Sequence, residues 1–322
     1  MNAIVVEELG GPEVLQWKHV PDPTPGAGQL VVAVEAAGVN FMDTYQRSGL
    51  YQVDLPFILG SEGAGEVVAV GEGVTAFKRG DRVGWCDQRG SYGDYVAIKE
   101  ARAVPVPDAL ASELAAASLL QGATAHYLVT DTFPLGSGHR CLIHAAAGGV
   151  GRLLVQMAKQ AGAEVIATAG GPDKVELARS AGADHVIDYK AVDFVEGVEE
   201  LVGKNQIDVV YDGVGKATFE QGLTLLKPRG MMVNYGSSSG PPDPFPPLRL
   251  SALGSLFLTR PGLGHYVPTP EELRRRAAAV FGLITAGDLD VRVGLRLPVK
   301  DAADAHRRLE ARETTGKVLL IP

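Results

Sequence analysis

One turn limits the fold of this chain more than any other feature. Cys141-Leu142-Ile143-His144 reads as a short buried strand. Residues 149–161 read as a helix with apolar positions at Val150, Leu153, Leu154 and Met157. Between them stands Ala146-Ala147-Gly148-Gly149-Val150-Gly151. A glycine-rich turn that leaves a strand and opens a helix lets the backbone approach a pyrophosphate, here at Gly148. It also lets helix pack closely on strand, here at Gly151. The N–H groups at the helix start then face the anion, and the helix dipole adds to their pull. The pattern departs from its ideal where Ala146 takes the place of the first glycine. Taken alone, the turn has a second reading, a tight strand–helix connection that binds nothing.

The segments beyond the turn favour a dinucleotide. Residues 164–168 read as a strand and 172–181 as a helix, and further strands come at 185–187, 208–211 and 231–235. Strands alternating with helices imply parallel βαβ units covered on both faces. The first 115 or so residues have a different character. Strand-like runs at 30–36, 65–71, 80–84 and 95–98 are separated by Pro- and Gly-rich turns, which favours a barrel-like or sandwich-like antiparallel domain. Residues 109–129 are Ala- and Leu-rich and read as helical. The tail from Glu271 carries a helix to Ala286, a strand at 297–299, another helix, and a last strand at 318–321.

Composition narrows the class. The chain has 322 residues, 46% of them hydrophobic, which suffices for two domains with separate cores. Acids outnumber bases 38 to 30, and a net charge of −8 argues against a general nucleic-acid or acidic-membrane surface. Cys86 and Cys141 are the only cysteines, too few for a secreted disulfide framework. The first residues run straight into a strand-like segment, and no apolar stretch approaches the roughly 20 residues that span a bilayer. A cytoplasmic protein is expected.

The choice between NAD and NADP turns on the end of the second strand, where a carboxylate would read a free ribose hydroxyl. That strand runs Val165-Ile166-Ala167-Thr168-Ala169 into Gly170-Gly171-Pro172-Asp173-Lys174. Glu164 comes too early, no acid stands at the end, and Lys174 is placed to neutralise a 2′-phosphate. The other reading makes Lys174 a solvated helix residue and Asp173 a helix N-terminal acid.

A β-rich domain ahead of such a unit suggests the medium-chain dehydrogenase/reductase superfamily, many of whose members use catalytic zinc. Two cysteines cannot build a four-cysteine site. The stretch where zinc enzymes carry Gly-His-Glu reads Gly60-Ser61-Glu62, and no cysteine lies near Gly38-Val39-Asn40. Zinc-assisted alcohol oxidation is not expected, and Cys86 and Cys141 read as buried thiols.

Several segments resemble one group, the zinc-independent NADPH:quinone oxidoreductases of the zeta-crystallin type. They are Gly10-Gly11-Pro12-Glu13-Val14-Leu15, residues 39–51 (VNFMDTYQRSGLY), residues 144–151, Tyr211-Asp212-Gly213-Val214-Gly215, Thr259-Arg260-Pro261 and the closing residues 316–322. The resemblance spans essentially the whole chain. It implies an α/β fold, with a GroES-like β-rich catalytic domain (1–120 and 262–322) and a doubly wound parallel sheet of Rossmann type (121–261). It implies a homodimer joined through edge strands of the cofactor domains, with residues 254–259 as the candidate edge.

The resemblance also implies roles. Asn40 and Tyr45 line the nicotinamide and substrate pocket, with Phe41, Met42, Asp43 and Thr44 beside the cofactor. Thr124 and Tyr127 flank the nicotinamide or its phosphates, and Gly148, Gly149 and Val150 hold the pyrophosphate. Gly170, Lys174 and Tyr189 surround the 2′-phosphate. Gly213, Tyr235, Gly236, Ser237, Ser238, Thr259 and Arg260 line the cofactor beyond the strand ends, and Arg312 closes on it from the catalytic domain. Gln121 stands where relatives often carry lysine. Read without the resemblance, Asn40 caps a helix, Tyr45 is a packing residue and Arg312 a solvated helix residue. The implied activity is NADPH-dependent reduction of quinones. The alternatives are an alkenal/enone reductase and, from another class, an RNA-binding or lens-structural role of the zeta-crystallin kind.

Overall fold

The computed structural model describes residues 1–322 and divides them into two units. One unit joins Met1–Ala123 to Tyr266–Pro322, and the other is Thr124–His265. The sequence reading set the divisions at 120/121 and 261/262.

The first unit begins with β1 (Asn2–Val6), β2 (Gln16–His19), β3 (Gln29–Val39), α1 (Phe41–Ser48), β4 (Phe57–Ile58), β5 (Glu62–Val70), β6 (Arg82–Cys86), β7 (Tyr95–Lys99), β8 (Ala103–Pro105) and most of α2 (Ser112–Tyr127). The second unit holds β9 (Arg140–Ile143), α3 (Gly149–Gln160), β10 (Glu164–Ala169), α4 (Pro172–Ser180), β11 (His185–Asp188), α5 (Phe194–Val202), β12 (Ile207–Asp212), α6 (Phe219–Thr224), β13 (Leu226–Asn234), α7 (Leu248–Ala252), β14 (Phe257–Thr259) and most of α8 (Leu263–Tyr266). The chain then returns to the first unit through α9 (Pro270–Ala286), β15 (Val293–Pro298), α10 (Ala302–Glu310) and β16 (Lys317–Ile321).

In the first unit β1 pairs with β2 and β4, and a larger sheet runs β15-β16-β3-β5-β6-β8 with β7 added to β3. Apolar side chains of β1, β3, β5, β6, β7 and β16 close on one core around Ile4, Leu30, Val32, Val67, Trp85, Ile98, Val318 and Leu320. The last strand thus packs among strands more than two hundred residues earlier in the chain. α9 shows why helix signals work: the Thr269 hydroxyl accepts the Glu272 N–H at 3.3 Å, Pro270 opens the helix, and Gly287 closes it in the left-handed region.

The second unit is a single sheet ordered β11-β10-β9-β12-β13-β14, every neighbouring pair parallel. Numbered from β9, this is the order 3-2-1-4-5-6, the doubly wound arrangement whose ligands sit beyond the carboxyl ends of the strands. Leu142, Ile166, Ile187, Val210, Leu226 and Met232 from five of the strands form its core with Phe194, Val198 and Phe219 from the helices. Three local readings need correction. β13 starts at Leu226, ahead of the residues read as strand. The edge segment 254–259 is strand only over Phe257–Thr259, because Gly254 and Ser255 turn through φ of 113° and 56°. Arg312 lies past the end of α10 with φ 60°, so it is not a helix residue.

Candidate cofactor cradle and catalytic helix

Because all six strands of the second unit are parallel, their carboxyl ends share one edge, and the loops that leave them gather there. After β9 the chain turns left-handed at Ala145, φ 53°, and enters α3 through Gly148 as its N-cap. At Gly151 the turn is too tight for a side chain, and at Gly148 it leaves little room. A Cβ on Gly151 would fall 2.3 Å from the Ala145 carbonyl oxygen, and one on Gly148 3.1 Å from the same atom. Gly149 and Val150 are half-buried in the first turn of α3. Bare backbone whose N–H groups open a helix is what a pyrophosphate requires.

After β10, Gly170 lies against Tyr189, whose ring and hydroxyl would sit 2.5 Å from a Cβ there. Lys174 is half-buried in the first turn of α4. An acid also stands at this turn. Parallel register sets Asp188 opposite Ala169, and its carboxylate accepts N–H groups from Gly171 at 2.9 Å and Lys190 at 3.0 Å. Those two bonds hold it below the usual carboxylate range. A search for an acid at the end of β10 itself could not find it.

After β12 and β13 the loops are knitted together by Asp212. Its buried carboxylate accepts the Val214 N–H at 2.7 Å, the Gly215 N–H at 3.0 Å and the Thr218 hydroxyl at 2.9 Å. Gly213 meets the Tyr235 ring, Gly236 packs on the Gly213 backbone, and the Ser238 N–H donates to the Gly213 carbonyl at 3.2 Å. Ser237 is buried, Ser238 half-buried. Half-buried Thr259 ends β14, and exposed Arg260 follows it. On α2, Thr124 and Tyr127 are buried. His144, at the end of β9, bonds Thr168 at 2.9 Å, and burial lowers its pKa, keeping it neutral.

In the first unit the candidate residues sit on α1, which is unusual in burying polar side chains: Asp43, Thr44, Tyr45, Gln46 and Arg47. Phe41 and Met42 are half-buried. Tyr45 packs edge-on against Tyr51, ring centroids 5.2 Å apart. The Asp43 carboxylate accepts the Asn40 N–H at 2.9 Å, the Ser61 hydroxyl at 2.8 Å and the Tyr92 hydroxyl at 3.0 Å. Burial nonetheless raises its pKa to about 6. Arg47 donates to the Gly10 carbonyl, makes a two-pronged ion pair with Glu310 at 2.6 and 3.2 Å, and donates to His306 Nδ1 at 3.0 Å. Burial, then Arg47, pushes His306 down to about 3. Neutral His306 therefore carries its proton on Nε2, facing the Tyr92 hydroxyl at 3.3 Å.

Asn40 does not fit a direct ligand role. Its side-chain amide donates to Gly38 O at 3.2 Å and Glu62 Oε2 at 2.9 Å, and accepts from Gln121 at 3.2 Å and Lys317 at 2.8 Å. Two N–H groups and two lone pairs are thereby all used. The side chain does not cap α1 either, although Asn40 occupies the N-cap position. Asp43 is likewise fully buried, and Arg312 is exposed. Glu62, Lys317, Asp188 and Asp212 were missed as site residues.

Comparison with known proteins gives one family match centred in each unit. Residues 26–108 match the alcohol dehydrogenase GroES-like domain, and residues 149–275 match the zinc-binding dehydrogenase family. A quinone oxidoreductase of Pseudomonas aeruginosa is 45% identical over 315 residues, 97% of each chain. A 2-haloacrylate reductase of Burkholderia is 39% identical, over 99% of this chain and 98% of its own. The crystal structure of Escherichia coli quinone oxidoreductase complexed with NADPH superposes with a TM-score of 0.98 at 42% identity, covering 100% of both chains.

Zinc is implied by one family description, but the donor set does not fit it. The Ser61 hydroxyl is spent on Asp43, the Glu62 carboxylate is paired with the Lys317 ammonium, and no three His, Cys, Asp or Glu side chains converge as metal ligands. Cys86 and Cys141 are both free and buried. With full-length relatives at this identity and both domain types in place, the chain belongs to the quinone oxidoreductase family of the medium-chain dehydrogenase/reductase superfamily.

Proposed function

We propose that this chain reduces small quinones with NADPH and without a metal ion. The observation that carries the reading is the bare cradle at the ends of β9, β12 and β13, where Gly151 and Gly236 meet backbone too close for a Cβ and Gly148 and Gly213 leave little room for one. It belongs to a chain whose full-length relatives are named quinone oxidoreductases. Bound in that cradle, NADPH supplies the hydride, and the protein supplies position and electrostatics. Gly148–Val150 would hold the pyrophosphate. Lys174, in the first turn of α4, and Tyr189, against Gly170, would take the 2′-phosphate.

Thr124, Tyr127, Thr259 and Arg260 of the second unit would line the cofactor; Phe41, Met42, Thr44 and Arg312 are the first unit's candidates for holding it. The Tyr45 hydroxyl would donate to the oxygen on which negative charge develops, while water supplies the proton. Asn40 takes part by holding structure, because its amide has nothing left to donate.

A second reading, reduction of a carbon–carbon double bond conjugated to a carbonyl, is favoured by one observation: the 39% identity to a 2-haloacrylate reductase. Hydride delivery and oxyanion stabilisation need the same groups in both. A steady-state screen of NADPH consumption with quinones, enones and 2-haloacrylates decides between them. Turnover with quinones supports the first reading, preference for the alkenes the second, and turnover with neither refutes both.

We further propose a homodimer formed through β14, an open sheet edge with Phe257 at 56% and Leu258 at 38% exposure. A Leu258→Lys variant that sediments as a monomer would agree; a parent chain that is itself monomeric would not. A cytoplasmic location agrees with two free, buried cysteines, and no helix is long and apolar enough to cross a membrane.

A further inference from the structure

We infer that Lys317 and Glu62 are positioning residues whose buried ion pair locks the Asn40 amide, and with it the start of α1, the helix that carries Tyr45. The inference rests on the reading of Tyr45 as the group beside the reacting atoms.

Lys317 opens β16 and is 1% exposed; Glu62 opens β5 and is 0% exposed. The Lys317 ammonium is hydrogen-bonded to Glu62 Oε2 and to Asn40 Oδ1. Glu62 Oε2 also accepts from Asn40 Nδ2, and Glu62 Oε1 accepts the Leu120 N–H at 2.6 Å. Gln121 on α2 and the Gly38 carbonyl at the end of β3 complete the set. One amide at the head of α1 therefore ties together β3, β5, β16 and α2. Space is kept for the pair at Gly38. A Cβ there would lie 2.4 Å from Glu62 Oε2, 2.6 Å from Lys317 Cε and 2.7 Å from the Ala116 carbonyl oxygen.

Stability alone does not account for such a pair. Apolar side chains of similar volume in place of a buried ion pair are often as stable or more so, because both charges lose their hydration. What the pair adds is direction. An ammonium only donates and a carboxylate only accepts, so the Asn40 amide has one orientation; flipped, it would turn its N–H groups toward Lys317. With the amide fixed, the extended backbone of Asn40 (φ −132°, ψ 154°) is fixed, and its N–H reaches Asp43 in the first turn of α1. The far end of the helix is held separately by Arg47 on Glu310 and Gly10. Loss of the pair frees the N-terminal turn of α1 without unfolding the core.

The test compares Lys317→Met, the double variant Lys317→Met/Glu62→Gln, and Gln121→Leu with the parent. The single Lys317 change leaves a buried charge unpaired and lowers the unfolding midpoint. The double variant removes both charges at similar volume, and its midpoint returns to that of the parent. Its kcat with quinone nevertheless falls about tenfold or more while KM for NADPH stays within about threefold, since small misplacements at a reacting centre cost up to ~10²-fold. In the cofactor-free chain, amides of residues 41–48 exchange about tenfold faster than in the parent, the mark of a locally loosened helix. Gln121→Leu removes one bond to Asn40 and shows the same two effects more weakly at an unchanged midpoint. If the double variant regains parental turnover and parental exchange together with its midpoint, the pair is packing only and the inference is overturned. Parental exchange and turnover in Lys317→Met overturn it equally, should the double variant not fold. A parent that does not oxidise NADPH with quinones refutes the functional reading instead, and the exchange comparison still judges the clamp.

Discussion

Gly151→Ala tests the cradle with a single methyl group. In an open helix position this change stabilises, because glycine is about 1 kcal/mol less favourable than alanine in a helix interior. At Gly151 the new Cβ would lie 2.3 Å from the Ala145 carbonyl oxygen, 2.9 Å from its carbonyl carbon and 2.9 Å from Ala146 Cα. All three are backbone atoms, so no side chain can swing away. Relief requires α3 to move off the turn by roughly an ångström, and overpacking of this kind costs about 1–3 kcal/mol. The turn has little slack, since Ala145 already sits in the left-handed region at φ 53°. The rigid backbone contacts favour the clash, and a net loss of up to about 2 kcal/mol is expected, the difference between the two terms. Gly282→Ala is the control: Gly282 lies in α9 with nothing within 4 Å of a Cβ, so it should gain about 0.5–1 kcal/mol. Urea unfolding of the two variants should therefore give opposite signs. NADPH binding, monitored by its fluorescence, should weaken about tenfold or more only in Gly151→Ala, because the α3 N–H groups move with the helix. A Gly151→Ala chain as stable as the parent, with parental NADPH affinity, would refute the reasoning.

Lys174→Ala should weaken NADPH about ten- to a hundredfold, the worth of one charge-assisted bond of about 1.5–3 kcal/mol, and leave NADH almost unchanged. A constant ratio of the two affinities in titrations would move cofactor choice away from Lys174. Tyr45→Phe should lower kcat by less than the ~2.7–4 kcal/mol of a well-studied oxyanion donor, because water can substitute, and should spare NADPH affinity; unchanged turnover demotes Tyr45 to packing. His306 and Asp43, both bonded to Tyr92, should pull stability in opposite directions with pH. Burial depresses His306 from 6.5 to about 3, so its contribution is full above pH ~6.5 and is lost as pH falls, by about 5 kcal/mol at most. Burial raises Asp43 from 3.8 to about 6, so its contribution is full below pH ~4 and is lost as pH rises through 6, by about 3 kcal/mol. His306→Gln should flatten the acid loss seen in urea midpoints between pH ~7 and 4, and Asp43→Asn should steepen it; parental slopes in both would sink this assignment.

The sequence made the sheet of the second unit legible because its signals are local. The apolar run 141–143, the bare turn and the apolar stripe of α3 lie within about twenty residues of each other, and each period names its element. The site in the first unit obeys the opposite logic. α1 hides polar residues from Asp43 to Arg47, so amphipathic pattern selects the wrong face. Their partners are remote: Arg47 finds His306 across 259 residues, and Asn40 finds Lys317 across 277. Lys317 reads in sequence as a charge at the start of an apolar strand, and only its remote partners Asn40 and Glu62 show it as a buried cation. Asp188 fails to declare itself for a related reason. An acid was sought at the end of β10, whereas the register of β11 on β10 brings one there from the neighbouring strand. One of its oxygens, Oδ1, accepts both the Gly171 and the Lys190 N–H, so it shapes the turn. Where an acid stands in space, set here by strand register, is thus a better guide to the chemistry of the turn than where it stands in sequence.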